Sequence, residues 1–285
     1  MDRRKFLHLL ATAAASSALP CRARADGLPR PASVPGGVAV VNLGPGPSPP
    51  LARFEDERVL VTGDASGWYA VVGIPLDAKA GAVLPLTVER PERTPETIAL
   101  EIGRKRYATQ HLRVKPGQVE LTPEDLARHE QERTHLRAVL RTFSESAPDS
   151  LLLLQPCEGP RSDSFGKRRF FNRQPRSPHS GLDIAAPEGT PVIAAGAGTV
   201  LDVGDYFFSG HSLILDHGQG FLTLYAHLSA VNAGAGDRVP AGIRIGSVGA
   251  TGRVTGPHLH FSVYLTLRRS IRDSSSRSKN RRSRK

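Results

Sequence analysis

Four residues in the last third of this 285-residue chain have types and spacings suited to holding a metal: His179 and Asp183 in His179-Ser180-Gly181-Leu182-Asp183, and His258 and His260 in Gly256-Pro257-His258-Leu259-His260-Phe261. Two imidazoles and one carboxylate suffice for a three-ligand zinc site with an open fourth position, the arrangement of a catalytic metal. One histidine is then left over to handle protons. Side chains alternate along an extended strand, so His258 and His260 share a face while Leu259 and Phe261 point into the opposite layer. Gly181, between His179 and Asp183, and Pro187 soon after predict a turn entering a strand rather than a helix face. No His-Glu-x-x-His run occurs, which excludes a helical zinc site with a glutamate base in its usual form. A different protein group must activate water.

The elements that must position these residues read as mainly β. Short apolar or β-branched runs at 190–195, 198–203, 212–216, 221–227 and 244–248, separated by glycine-rich turns, predict a C-terminal antiparallel β-sheet domain. A groove across such a sheet suits an extended peptide, with Tyr206-Phe207-Phe208 either forming one wall or plugging the space between strands. Upstream, residues 37–119 show strand-like runs with Pro and Gly punctuation, such as Trp68 to Ile74, and predict a β-sandwich-like accessory domain. Thr122-Pro123-Glu124-Asp125 is a helix start, and Leu136, Val139, Leu140 and Phe143 keep helical spacing, so a linking helix of about six turns is predicted over 122–145. A linker at 146–163 follows, and the Arg/Pro/Ser-rich stretch from Pro156 to Pro178 also reads as linker, placed to lie against the groove. His111, His129, His135, His211 and His217, taken singly, read as ordinary structural or solvated residues. On spacing alone, Tyr225 and His227 fit the exposed face of an amphipathic strand as well as they fit a site.

From Ser164-Phe165-Gly166-Lys167-Arg168 to Tyr264 the chain resembles the lysostaphin-type, or LytM-like, zinc metallopeptidases, which cut peptide bonds in bacterial cell-wall peptidoglycan. The resemblance rests on the two runs quoted above together with Ala194-Ala195-Gly196-Ala197-Gly198, Tyr225-Ala226-His227-Leu228 and Val248-Gly249-Ala250-Thr251-Gly252, in the family's order. It implies a zinc peptidase domain over 164–265, one Zn2+ per chain held by His179, Asp183 and His260, and His258 and His227 as the two catalytic histidines. His258 is the better candidate base because it shares a strand face with His260. His227 would then hydrogen-bond the developing oxyanion or help hold the attacking water. The implied activity is zinc-dependent hydrolysis of peptidoglycan stem peptides or cross-links. A wall-binding activator of a separate amidase and a zinc peptidase acting on proteins are the other classes compatible with the motifs.

The ends account for the composition. Arg3-Arg4-Lys5, an apolar alanine-rich stretch and Ala23-Arg24-Ala25 make residues 1–25 a twin-arginine-like signal peptide, which implies export to the periplasm. Loss of that segment, with Cys21, leaves Cys157 unpaired. No other apolar run is long enough to span a membrane. The formal charge of +11 divides into +4 in residues 1–25 and +8 in residues 268–285, leaving the body near −1, so nucleic-acid binding is not expected. Residues 266–285 read as a basic disordered tail in place of the Val-Asp-Pro segment with which relatives close the domain. A coding run for Leu-Asn-Ala-Ala-Ser-Val-Asp-Pro-Arg-Leu-Phe-Leu that loses one base in the Asn codon yields Leu265-Thr266-Leu267-Arg268-Arg269-Ser270-Ile271-Arg272-Asp273-Ser274-Ser275, so a single-base frameshift is the expected origin of the tail.

Overall fold

The structure is a computed structural model that describes residues 27–54, 56–113 and 121–265. The expectations for residues 1–25 and for the tail at 266–285 lie outside the described residues. Among the described residues, no helix is long and apolar enough to cross a membrane.

Alternating apolar residues between glycine and proline breaks build the N-terminal unit from β1 (Val38–Gly44), β2 (Leu51–Phe54), β3 (Glu57–Arg58), β4 (Leu60–Asp64), β5 (Gly67–Gly73), β6 (Val83–Glu89) and β7 (Glu96–Glu101). Two antiparallel sheets, ordered β1-β5-β4 and β3-β2-β6-β7, close over one core to which Ala39, Phe54, Val72, Leu86 and Val88 contribute. The chain leaves this sandwich through β8 (Thr109–Leu112) and enters α1 (Pro123–Val139). Thr122 caps α1 by accepting the Asp125 N–H at 3.1 Å, Pro123 fills the first turn where no donor is needed, and Glu124 and Asp125 suit the positive end of the helix dipole. The helix is shorter than its spacing predicts and ends at Val139. Long-range contacts take over beyond it: the Arg58 guanidinium lies 4.2 Å from the Phe143 ring centre, and the Ser144 carbonyl accepts the Gln219 N–H at 3.0 Å.

After the helix come β9 (Arg168–Phe171), β10 (Gln174–Arg176), β11 (Leu182–Ile184), β12 (Pro191–Ile193), β13 (Gly198–Tyr206), β14 (Gly210–Gly218), β15 (Phe221–Val231), β16 (Arg238–Val239), β17 (Arg244–Val248) and β18 (Leu259–Leu265). β9 and β10 form a hairpin, and β9 also pairs in parallel with β8, so a stretch expected as linker is a small three-stranded sheet. The main sheet is antiparallel in the order β11-β18-β15-β14-β13-β16, with β17 bridging β15 to β12. Its two faces are both covered. Tyr225, Leu213, Leu215, Leu259 and Ile245 pack into one core, while Ile214, Leu222, Leu224 and Ala226 receive Leu136, Val139 and Leu140 from the helical segment. Phe221 to Leu228 is therefore buried along its whole length, unlike the amphipathic strand that its sequence allows.

β15 and β18 run side by side from Phe221↔Leu265 at one end to Ala226↔His260 at the other. The sandwich seats on the first end: Leu60, Val71 and Phe221 form a buried cluster with Leu265, and the Val61 N–H donates to Gln219 Oε1 at 2.9 Å. The site residues emerge at the other end, roughly 17 Å away at a strand rise near 3.4 Å per residue.

Tyr225, on the core face of β15, is fully buried, and its hydroxyl accepts the Ala195 N–H at 2.8 Å and lies 3.2 Å from Thr223 Oγ1. Tyr225→Phe should leave a buried N–H without a partner and cost about 1–3 kcal/mol. Guanidinium unfolding of the variant checks this, and an unchanged midpoint would contradict it.

Candidate metal centre and active site

Asp183 on β11 and His260 on β18 are register partners, so their side chains leave one face of the sheet side by side. Asp183 Oδ1 lies 2.9 Å from His260 Nδ1 and 3.2 Å from His179 Nε2. One ligand atom from each of these three residues falls within 4.8 Å of the others. Ligands at about 2.0 Å around a tetrahedral zinc stand roughly 3.3 Å apart, and this nitrogen and oxygen set is of the kind zinc prefers. The residues thus fit a metal. Their surroundings hold them in place. His260 Nε2 is 3.0 Å from Ser262 Oγ, which leans on the Ser180 carbonyl, and this outer contact leaves Nδ1 facing the cluster. Buried His179 is clamped through its backbone, its N–H donating to Lys167 and its carbonyl accepting from Gly166. Burial alone would raise the Asp183 pKa, yet the hydrogen bonds and charges of His179 and His260 outweigh it and hold the carboxyl well below the usual range. Ser164 Oγ, at 3.4 Å, and Arg169 Nη2, at 3.9 Å, approach the other oxygen, Oδ2.

His227 reaches the same place by a different device. Regular alternation would set it with Thr223 and Tyr225 on the core face of β15. Between His211↔Leu228 and Leu213↔Tyr225, however, two residues of β15, Ala226 and His227, oppose the single residue Ser212 of β14. This is a bulge, and His227 adopts φ +65° within it. A left-handed backbone at a non-glycine residue costs roughly 1–2 kcal/mol. It turns the imidazole onto the His260 side of the sheet, with ring centres 4.8 Å from His258 and 5.9 Å from His260. Thr251 braces the bulge: its hydroxyl donates to the Leu228 carbonyl at 2.8 Å and accepts the His211 N–H at 3.0 Å.

The loop from Gly249 to His258, closed at its base by an antiparallel bridge between those two residues, orients both histidines outside the ligand cluster. His227 Nδ1 faces the Thr251 carbonyl at 3.0 Å and His258 Nδ1 faces the Gly256 carbonyl at 2.9 Å. A carbonyl only accepts, so each Nδ1 carries a proton, and in the neutral ring each Nε2 presents a lone pair. His258 Nε2 stands 3.9 Å from Asp183 Oδ1. Burial above all, aided by the charges of His258 and His260, pushes the His227 pKa down to about 4, so this ring is neutral at physiological pH.

The structure therefore brings His179, Asp183, His260, His258 and His227 together. The other described histidines serve elsewhere: His111 stacks on Phe170, His129 meets Phe208 edge-on, His135 pairs with Asp202, His211 is exposed, and buried His217 bonds to Ala197 and Thr223. The aromatic triplet divides its roles, because Tyr206 is buried and bonded to Asp202, whereas Phe208 reaches the surface beneath the Arg253 guanidinium. Thr251, Ser262, Ser164 and Arg169 are site neighbours that sequence reasoning does not single out; the alternation His258-x-His260-x-Ser262 carries a signal for Ser262 alone.

Gly181 explains its own place between two candidate ligands. A Cβ there would overlap the His260 ring and lie 2.5 Å from Ser262 Oγ. Gly181→Ala should displace His260 and weaken zinc binding by about 10- to 100-fold, the usual penalty for disturbing a ligand's support. A chelator-competition titration measures the affinity, and wild-type affinity in a folded variant would contradict the packing argument.

Comparison with known proteins agrees with this geometry. Residues 177–272 match the family model for peptidase family M23, and residues 31–105 match the model for the peptidase family M23 N-terminal domain. A stretch of 103 residues is 42% identical to the peptidoglycan DD-endopeptidase ShyA of Vibrio cholerae serotype O1, covering 36% of this chain and 24% of that protein. Another of 83 residues is 48% identical to the DD-carboxypeptidase/endopeptidase Mpg of Neisseria meningitidis serogroup B, covering 29% of this chain and 19% of that protein. The matched stretches thus span about a quarter or less of these curated relatives. A crystal structure of a Pseudomonas aeruginosa protein assigned to peptidase M23 superposes over 82% of this chain and 90% of that one, with 42% identity and a TM-score of 0.68. Matching across both the sandwich and the sheet domain, the chain belongs to peptidase family M23.

Proposed function

We propose that this protein is a zinc-dependent endopeptidase that hydrolyses peptide bonds in peptidoglycan stem peptides or cross-links. The observation that carries the reading is the meeting of Asp183 Oδ1, His179 Nε2 and His260 Nδ1 beside two imidazoles whose Nε2 atoms are free to accept a proton. The substrate class follows from what ShyA and Mpg are named as cutting.

His179, Asp183 and His260 would hold one zinc ion. When bound, zinc acts as a Lewis acid that acidifies water and polarises a carbonyl. The remaining work falls to the chain's own groups. His258 Nε2 accepts the proton of the attacking water and passes it to the departing amine as the peptide bond breaks. His227, neutral and protonated at Nδ1, accepts a hydrogen bond from that water and aims it. Of the two roles open to His227 on sequence grounds, holding the water fits this tautomer; donating to an oxyanion would need a proton on Nε2. The Thr251 and Gly256 carbonyls fix both rings, so no reorganisation is needed as the reaction proceeds.

Residues 37–119 are read as an accessory domain that positions the peptidase domain, and residues 1–25 as an export signal, which places the protein in the periplasm. The frameshift origin of the tail remains part of this reading, and every proposed site residue precedes it.

Incubating the protein with isolated peptidoglycan, with and without a chelator, and analysing the released muropeptides tests the proposal. New peptide ends should appear with zinc and vanish with chelator; their absence under both conditions would overturn the reading. His258→Ala should lower kcat by about 10²- to 10⁴-fold, and an undiminished digest would remove His258 from its role.

A further inference from the structure

The β9–β10 hairpin is turned by Asn172 and Arg173, both at positive φ, in the tight two-residue manner that suits twisted strands. It makes Arg169 and Arg176 register partners, so both guanidiniums leave the same face of the hairpin. Arg169 is half-buried and its Nη2 is 3.9 Å from Asp183 Oδ2, which puts it against the ligand cluster on the side away from the histidines. Its Nε is buried with no hydrogen-bond partner. Arg176 bonds to Gln174 Oε1 at 3.1 Å and lies 6.0 Å from the Phe171 ring centre. The half-buried Arg253 sits in the loop that orients His227 and His258, with its guanidinium 5.4 Å from the Phe208 ring centre. Arg176 and Arg253 lie close enough for the charge of one to act on the other.

Like charges facing each other across a strand pair are destabilising. Here three guanidiniums gather around one edge of a site. The acids that act on Arg169 and Arg253 are Asp183, already shared between His179 and His260, and Asp125 at the start of α1. A guanidinium fork matches a carboxylate in shape as well as charge, and the desolvated setting strengthens such a pair.

We infer that Arg169, Arg176 and Arg253 form a carboxylate-binding rim, and that the peptide cut by this protein carries a free carboxylate within about two residues of the scissile bond, given a reach of roughly 3.3–3.6 Å per residue. The inference rests on the endopeptidase reading above and adds the substrate's charge to it. The carboxylate is either the peptide's own C-terminus or a carboxyl borne on a side chain or branch; both offer the same two oxygens. Arg169, next to a proposed ligand, takes the central position, and Arg253 holds the carboxylate from the loop.

Binding separates this from catalysis. The zinc-loaded full chain is titrated with a tetrapeptide stem bearing free carboxylates, a second with only its C-terminus amidated, and a third with only its side-chain carboxyl amidated. Wild type should bind the free acid about 10-fold or more tightly than one of the two amides, and that amide identifies the carboxylate. Arg169→Met and Arg253→Gln should each weaken free-acid binding by about 10-fold while leaving the discriminated amide's affinity unchanged; zinc content is measured alongside. Equal wild-type affinity for all three peptides overturns the inference. So does a loss in Arg169→Met that follows zinc content and affects every peptide alike, because Arg169 would then only support Asp183; Arg253→Gln, outside the proposed ligand set, gives the second reading if Arg169→Met fails to fold. Discrimination without cleavage of peptidoglycan would leave the rim standing and defeat the endopeptidase reading.

Discussion

One extra residue in β15 decides where the His227 imidazole stands. The strand is central, buried on both faces, and paired on both sides, so regular alternation would send His227 into the core beside Tyr225. The bulge opposite Ser212 breaks that alternation once and delivers an imidazole to the face that already carries His260. Its backbone strain persists because the surroundings over-determine it: the His227 N–H donates to the Ser209 carbonyl at 2.8 Å, and the Thr251 hydroxyl occupies the backbone groups that the bulge leaves open on both strands. Gly252 lets this loop pack closely, since a Cβ there would come within 2.7 Å of the Phe208 carbonyl.

The site is thereby assembled from three rigid sources. The β11–β18 pair gives Asp183 and His260 by direct register. The turn before β11 adds His179, and the loop from Gly249 to His258 supplies the two carbonyls that set both free histidines in one tautomer. Charge follows the same plan. Asp183 is held ionised by two imidazoles, His227 is held neutral by burial, and the cations stand around the edge on Arg169, Arg176 and Arg253. The sandwich meets the opposite end of β15 and β18, where Phe221 and Leu265 carry the joint.

Much of this is legible in the residues themselves. His258-Leu259-His260-Phe261 announces a strand with its imidazoles on one face because the two-residue period is purely local, and Gly181 and Pro187 mark the turn into β11 for the same reason. The mainly β class, with a sandwich, a helix and an antiparallel sheet, follows from run lengths and breakers. What escapes is everything that depends on distant partners. The bulge has no local mark, since Tyr225-Ala226-His227-Leu228 contains neither glycine nor proline, and its groups are satisfied by Thr251. The helix stops at Val139 rather than 145 because Arg58 and Gln219 capture the residues that follow. The hairpin at 168–176 reads as linker because β8, its partner across the sheet, lies more than fifty residues earlier.

The proposed mechanism turns on the aim of two side chains, which is a property of tautomers. Long-range proton–nitrogen correlation spectra of the zinc-loaded protein with 15N-labelled histidine, recorded at mildly alkaline pH and assigned with His227→Gln and His258→Gln, read that property directly. Both residues should carry their proton on Nδ1, with Nε2 showing the shift of an unprotonated nitrogen. Protonation at Nε2 in either residue would mean that the loop carbonyls do not orient the rings, and would contradict the arrangement described.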